Sequence, residues 1–222
     1  MPVWQQLFDE LKNKNFMVVA VAEDSEGAAA AGKWIEAAKP TYWSLIDPDH
    51  RVAALYSMVN VPRAVWIDEA GKIVRPPETA GSTDHFRNMD LKTLTMPQAD
   101  QEARDRGKRV YLQAIRDWVL TGKYALPEDE ARAKAPRITG EIALAHAHFR
   151  LGAFLKRNNR EAEGQKHMLE ASRLHPDSWN MWRQAAEKGS HGLAAGPEFW
   201  ERVKALGDKP YHPPPDLPGF AK

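Results

Sequence analysis

Val3, Trp4, Leu7, Phe8 and Leu11 recur at spacings of three and four, which predicts an amphipathic helix over residues 3–14. The run FMVVAVA, residues 16–22, carries no polar side chain and is bounded by Asn15 and by Glu23-Asp24-Ser25. Such a run predicts a strand buried on both faces, as in a parallel sheet covered by helices. An alanine-rich stretch from Glu26 to Ala38 carries Trp34 and Ile35 on a small-residue surface and stops at Pro40, so a second helix is expected. After an extended piece at Trp43–Ile46, Asp47 and Pro48 offer an N-cap and a first-turn proline for a helix ending near Tyr56. Two β-prone runs, Ala64–Ile67 and Lys72–Val74, flank Asp68-Glu69-Ala70-Gly71, with glycine where a turn wants a positive φ. This predicts a β-hairpin.

From Arg75 to Pro97 the periodicity dissolves into Pro-Pro and Gly-Ser-Thr, the composition of a linker or a loosely packed connection. Everything from about Gln98 reads as helical until the tail, with Val110, Leu112, Ile115, Trp118 and Val119 marking a helix over 101–121. The tail KPYHPPPDLPGFAK is too rich in proline for helix or sheet and is expected to lie extended on the surface. Residues 139–189 fit the roughly 34-residue TPR template when the repeat starts at Ala145. Leu151-Gly152, Leu155, Gly164, Met168, Ala171 and Pro176 then take its expected positions, and one repeat length beyond His148 stands Trp182. The physical expectation is two antiparallel helices brought close at Gly152 and Gly164, with Leu151, Leu155 and Met168 filling the seam. Gly189 weakens a second repeat, so these helices need a neighbour to pack on. The predicted division is residues 1–90, a helical domain at 91–208, and a proline-rich tail at 209–222.

Composition narrows what such a protein does. At 222 residues, with 43% hydrophobic and 27% charged residues, the chain can build packed cores and is not expected to be disordered. Lys+Arg 31 against Asp+Glu 30 leaves a formal net charge of +1, with no overall footprint for nucleic acid or an anionic membrane. No stretch reaches the ~20 apolar residues of a membrane span, and MPVWQQLFDELKNKN lacks a basic region followed by an apolar run. A cytoplasmic protein is the expectation for the chain as written. There is no cysteine, which excludes a disulfide, a thiolate metal site and a catalytic or redox thiol within these residues.

The remaining constellations assign no catalytic residue, metal ligand or cofactor. His146 and His148, at i and i+2 on a helix, point about 200° apart and cannot grip one ion together. His148, His167 and His175 read as interhelical or cap residues. Asp47, Asp49, Asp68 and Glu69 sit at caps and turns, which gives no support to paired-acid hydrolysis. Walker A, GxGxxG and GxSxG patterns are absent. Arg104, Arg106, Lys108 and Arg109, interleaved with Glu102 and Asp105, read as a solvated helical face.

Four landmarks in residues 1–75 carry a resemblance. They are the Pro2-led helix with Trp4 and Leu7, the strand FMVVAVAEDS, the phrase LIDPDHRVAALYSMVNVP and the hairpin AVWIDEAGKIVR. With the spacing between them, they resemble thioredoxin-like redoxins of the TlpA/ResA and peroxiredoxin-related kind. The fold this implies is α/β, an incomplete thioredoxin-like sheet with flanking helices, followed by an all-α TPR-like module. In that family the proline matching Pro62 follows a cis peptide bond and faces the redox dithiol, and the residue before it pairs with the bound substrate chain. Val61 and Pro62 are therefore the implied substrate-binding residues. The alternative is an ordinary trans proline opening an edge strand.

The family also places a central strand and a Cys-x-x-Cys loop before the helix at 3–14, and these residues contain neither. Three explanations stand open: a longer natural protein that carries both and could be exported, a degenerate redoxin, or strand exchange with a second copy to give a homo-oligomer. The implied activity is thiol-disulfide exchange with a protein or peptide disulfide through a mixed disulfide, for which this chain supplies scaffold and binding surface only. The rival is a non-catalytic interaction module that docks a partner on the TPR-like helices.

Overall fold

The computed structural model describes residues 2–189 and 192–220. The elements, in chain order, are α1 (Pro2–Leu11), β1 (Val19–Ala22), α2 (Ala28–Ala38), β2 (Trp43–Ile46), α3 (Arg51–Leu55), β3 (Arg63–Ile67) and β4 (Ile73–Thr79). A short 3-10 helix (Asp84–Asn88) leads to α4 (Gln98–Thr121), α5 (Glu128–Lys134), α6 (Gly140–Arg157), α7 (Glu161–Leu174), α8 (Trp179–Ala185) and α9 (Pro197–Ala205). Among the described residues the fold is mixed α/β with two separate two-stranded sheets. Two compact units interleave along the chain. The first comprises Met1–Lys12, Phe16–Val61 and Pro136–Gly196; the second comprises Asn13–Asn15, Pro62–Ala135 and Pro197–Lys222. Each unit thus draws on both the strand-bearing part and the helical part of the sequence.

In the first unit β1 and β2 pair in parallel, Val19 opposite Trp43 and Ala22 opposite Ile46. The expectation that the 16–22 run is buried on both faces is corrected here, since the strand spans only four residues and Val19 is 55% exposed. Trp43, beside it on the same face, is 63% exposed. Burial on both faces requires a covering layer on each side, and a two-stranded sheet has little area to hold one. α1 buries Leu7, Phe8 and Leu11, and Phe8 meets the ring of Tyr42 edge-on at 5.9 Å. The helix expected from Asp47-Pro48 begins later, at Arg51, because His50 takes a left-handed conformation with φ 50°. Asp47 still caps it from a distance, its Oδ2 accepting the Val52 N–H at 2.6 Å.

α6 and α7 pack as an antiparallel pair whose seam is set by two glycines. A Cβ at Gly152 would lie 2.9 Å from the carbonyl oxygen of Gly164, and one at Gly164 would lie 2.8 Å from that of Gly152. Met168 and Leu155 are buried as expected, but Leu151 is 43% exposed and does not fill the seam. Its place is taken by Phe149 and Ala153, which join Ala145, Met168, Ala171 and Met181 in one core. α6 and α8 are capped by Thr139 and Ser178, whose hydroxyls accept the N–H groups of Ile142 and Met181.

In the second unit the hairpin forms around Gly71, at φ 76°, and Asp68 Oδ1 accepts the N–H groups of Ala70 and Lys72. β4 runs on through Pro76 and Pro77 to Thr79, so the linker expected from Arg75 is in part a strand. Proline is tolerated there because β4 pairs on one side only. The rest of that stretch is also packed, with Arg75, Thr79 and Thr83 buried. Arg75 explains much of this. Its guanidinium makes a two-pronged contact with Glu78 and donates to the carbonyls of Tyr124 and Asp216.

The tail is corrected likewise. Tyr211, Leu217 and Phe220 are buried in this unit, and Asp84 accepts the backbone N–H groups of Tyr211 and His212 at 2.7 Å each. Three apolar anchors outweigh the missing secondary structure. No helix among the described residues is long and apolar enough to cross a membrane.

Candidate functional site

Parallel pairing of β1 with β2 ends both strands on the same side, so the residues that follow them converge. Glu23 follows β1 and Asp47 follows β2, with the Asp47 N–H donating to the Ala22 carbonyl at 2.9 Å. The carboxyl ends of parallel strands are the usual location of ligand sites in α/β sheets. Burial, and then the charge of Asp47, push the Glu23 carboxyl up to about 7. His50 lies in the same corner, 3% exposed, its ring 4.6 Å from that of Phe149 on α6. Neither of its ring nitrogens has a hydrogen-bond partner among the described residues. Burial lowers its pKa to about 4, helped by His146 and opposed by Asp47, Asp24 and Asp49. The imidazole is therefore neutral at physiological pH.

α8 reaches into this corner with two polar side chains. Asn180 Nδ2 donates to Glu23 Oε2 at 2.9 Å and to the Met58 carbonyl at 3.1 Å, while its backbone N–H donates to the Val59 carbonyl. Arg183 Nη1 donates to Asn60 Oδ1 at 3.0 Å, and burial lowers this guanidinium to about 10. It stays charged at neutral pH. The same Asn60 oxygen accepts the Val61 N–H at 2.9 Å. Three consecutive residues, Met58, Val59 and Asn60, are thus held by one helix just before Val61 and Pro62.

Val61 itself is 43% exposed and closes the first compact unit, while Pro62 is exposed and opens the second. A polypeptide approaching Val61 would meet an exposed side chain, the Val61 carbonyl, and an N–H already engaged by Asn60. The sequence supplies no nucleophilic thiol to this corner. Of the histidines expected to be interhelical or cap residues, His148 on α6 meets His167 on α7 with their Nδ1 atoms 2.8 Å apart, and His175, the C-cap of α7, faces His146 at 6.2 Å between ring centres.

Glu23, Asn60, Asn180 and Arg183 did not stand out in the sequence. Their available signals were acids directly after two apolar strands and a polar pair set among the tryptophans of WNMWR. No protein-family model, curated protein or solved structure matches the chain.

Proposed function

We propose that the chain is a thioredoxin-like redoxin family protein that receives an extended polypeptide at Val61–Pro62 and, having no cysteine, carries no electrons itself. The observation that supports this most is the hold of α8 on Met58–Asn60. Pre-organising a short loop from several sides suits a loop that serves as a docking edge. The strand pattern agrees with the reading, because β1 and β3 lie in different sheets and each pairs on one side only. That is the pattern expected when the central strand of a thioredoxin-like sheet is not among these residues. The incomplete sheet would then be joined to TPR-like helices that both brace the loop and complete the core around Phe149.

The chain should not accelerate reduction of insulin disulfides by dithiothreitol, because thiol exchange needs an attacking thiolate. It should bind S-alkylated insulin B chain, an extended probe, and Val61→Asp should weaken that binding by about tenfold or more, since a charge at a desolvated strand contact is costly. Accelerated insulin reduction, or unchanged binding by the Val61→Asp variant, would contradict the reading. One observation favours the second reading, a TPR-like docking module. Leu144, Leu151 and Phe154 of α6 are all exposed, and their spacing sets them along one side of the helix.

A further inference from the structure

The second unit contains a cavity of about 270 Å³ whose chemistry the reading above does not use. We infer that it is a binding site for a small aromatic phosphate, with the phosphate on Arg104 and Lys108 and the ring against Phe86, Phe199 and Tyr211.

The cationic side is built on α4, where Arg104 and Lys108 stand one turn apart and share a face. No carboxylate lines the cavity among the described residues. Arg104 has no carboxylate partner among them either; its guanidinium contacts Met96 Sδ at 3.8 Å. Among the described residues Lys108 has a long ion pair, 3.5 Å to Asp105, as its sole carboxylate contact, and that pair is exposed to water. Two cations left largely unneutralised in a recess favour a doubly charged anion, and a guanidinium beside an ammonium suits phosphate oxygens. Gly81, Ser82 and Thr83 line the same cavity.

The lining is also aromatic, with Phe86, Phe199 and Tyr211. Phe86 stacks on Phe199 at 6.3 Å and meets Tyr211 edge-on at 5.0 Å, and Phe199 meets Tyr211 at 5.9 Å. Such a wall accepts a further ring by stacking or edge contact.

The walls are fixed rather than incidental. Asp84 pins the Tyr211 and His212 backbone at 2.7 Å each. Gly81, at φ 76°, lets its segment lie against α4, where an added Cβ would come within 3.3 Å of the Lys108 Cα. A volume just below the roughly 300 Å³ at which ligand pockets begin limits the occupant to about one ring. A second cavity of about 350 Å³ shares Thr83 and His212 with the first.

The test is a titration of the full chain with phenyl phosphate, followed by backbone chemical shifts, with inorganic phosphate and phenol as separate arms. Phenyl phosphate should saturate with a dissociation constant on the order of 0.1–1 mM and shift Ser82, Phe199 and His212. Inorganic phosphate and phenol should each bind about tenfold more weakly or worse. The double variant Arg104→Gln/Lys108→Gln, which alters solvent-accessible side chains, should keep its melting temperature and lose about tenfold or more in affinity. Absence of saturation in the millimolar range would overturn the assignment. So would undiminished affinity in the double variant, or inorganic phosphate binding as tightly as phenyl phosphate.

Discussion

Replacing Glu23 by glutamine is expected to stabilise the first unit by about 2 kcal/mol near pH 8 and to change it little near pH 4. Burial raises this carboxyl to about 7, with Asp47 adding to the effect. An acid raised on folding contributes fully below its unfolded value, near 4.5, and the folded state loses that contribution as pH rises through 7. A displacement of that size corresponds to about 3 kcal/mol. Water still reaches the partly buried carboxyl, which reduces the figure to about 2. Glutamine mimics the protonated acid and can still accept from Asn180 Nδ2. His50 and His146 act in the opposite direction: burial lowers both to about 4. Their contribution is complete above the ordinary histidine value and is lost as pH falls toward 4. Denaturant unfolding across this range should therefore show the gain from Glu23→Gln growing between about pH 4.5 and 7 and staying level above that. A uniform change at all pH values would mean that folding leaves the Glu23 carboxyl unshifted.

Arg75→Met is expected to destabilise the second unit by about 3–5 kcal/mol, the usual effect of removing one member of a buried ion pair. Arg75 is 2% exposed, holds Glu78 at 2.8 and 2.9 Å, and lies 5.3 Å over the ring of Trp66. Without it, the Glu78 carboxylate and the Tyr124 and Asp216 carbonyls would lose a buried donor. The double variant Arg75→Met/Glu78→Gln should recover a large part of the loss, because a buried unpaired charge is worse than none. Hydrogen exchange should locate the effect in the tail as well, through the contact with Asp216. If Arg75→Met unfolded at the same denaturant concentration as wild type, the guanidinium would have to be solvated in the folded state.

Local signals served the sequence reading where one short stretch decides the structure. Gly71 with Asp68 fixes the hairpin, and the apolar periodicity of α4 needs no distant partner to be seen. The Gly152–Gly164 seam was also legible, because close helix approach demands small residues on both sides. Leu151 was misplaced by the same template, since a repeat pattern does not say which side of a helix the next element covers. The exposure of Val19 and Trp43 was illegible because an apolar run records what a strand can bury, not how many strands accompany it. Pro76 and Pro77 hid an edge strand, and the proline-rich tail hid three apolar anchors. The polar corner was the least legible. Glu23, Asp47, His50, Asn60, Asn180 and Arg183 are scattered across the first 183 positions, and only parallel pairing of β1 with β2 and the docking of α8 bring them together.

The most direct test of the proposed docking edge is hydrogen exchange on the full chain with and without S-alkylated insulin B chain. Slowed exchange confined to residues 58–62 and the strand they lead into, with α6 unchanged, is the expected result for that edge. Slowed exchange on α6 around Leu144, Leu151 and Phe154, with residues 58–62 unaffected, would contradict it and favour the helical docking surface.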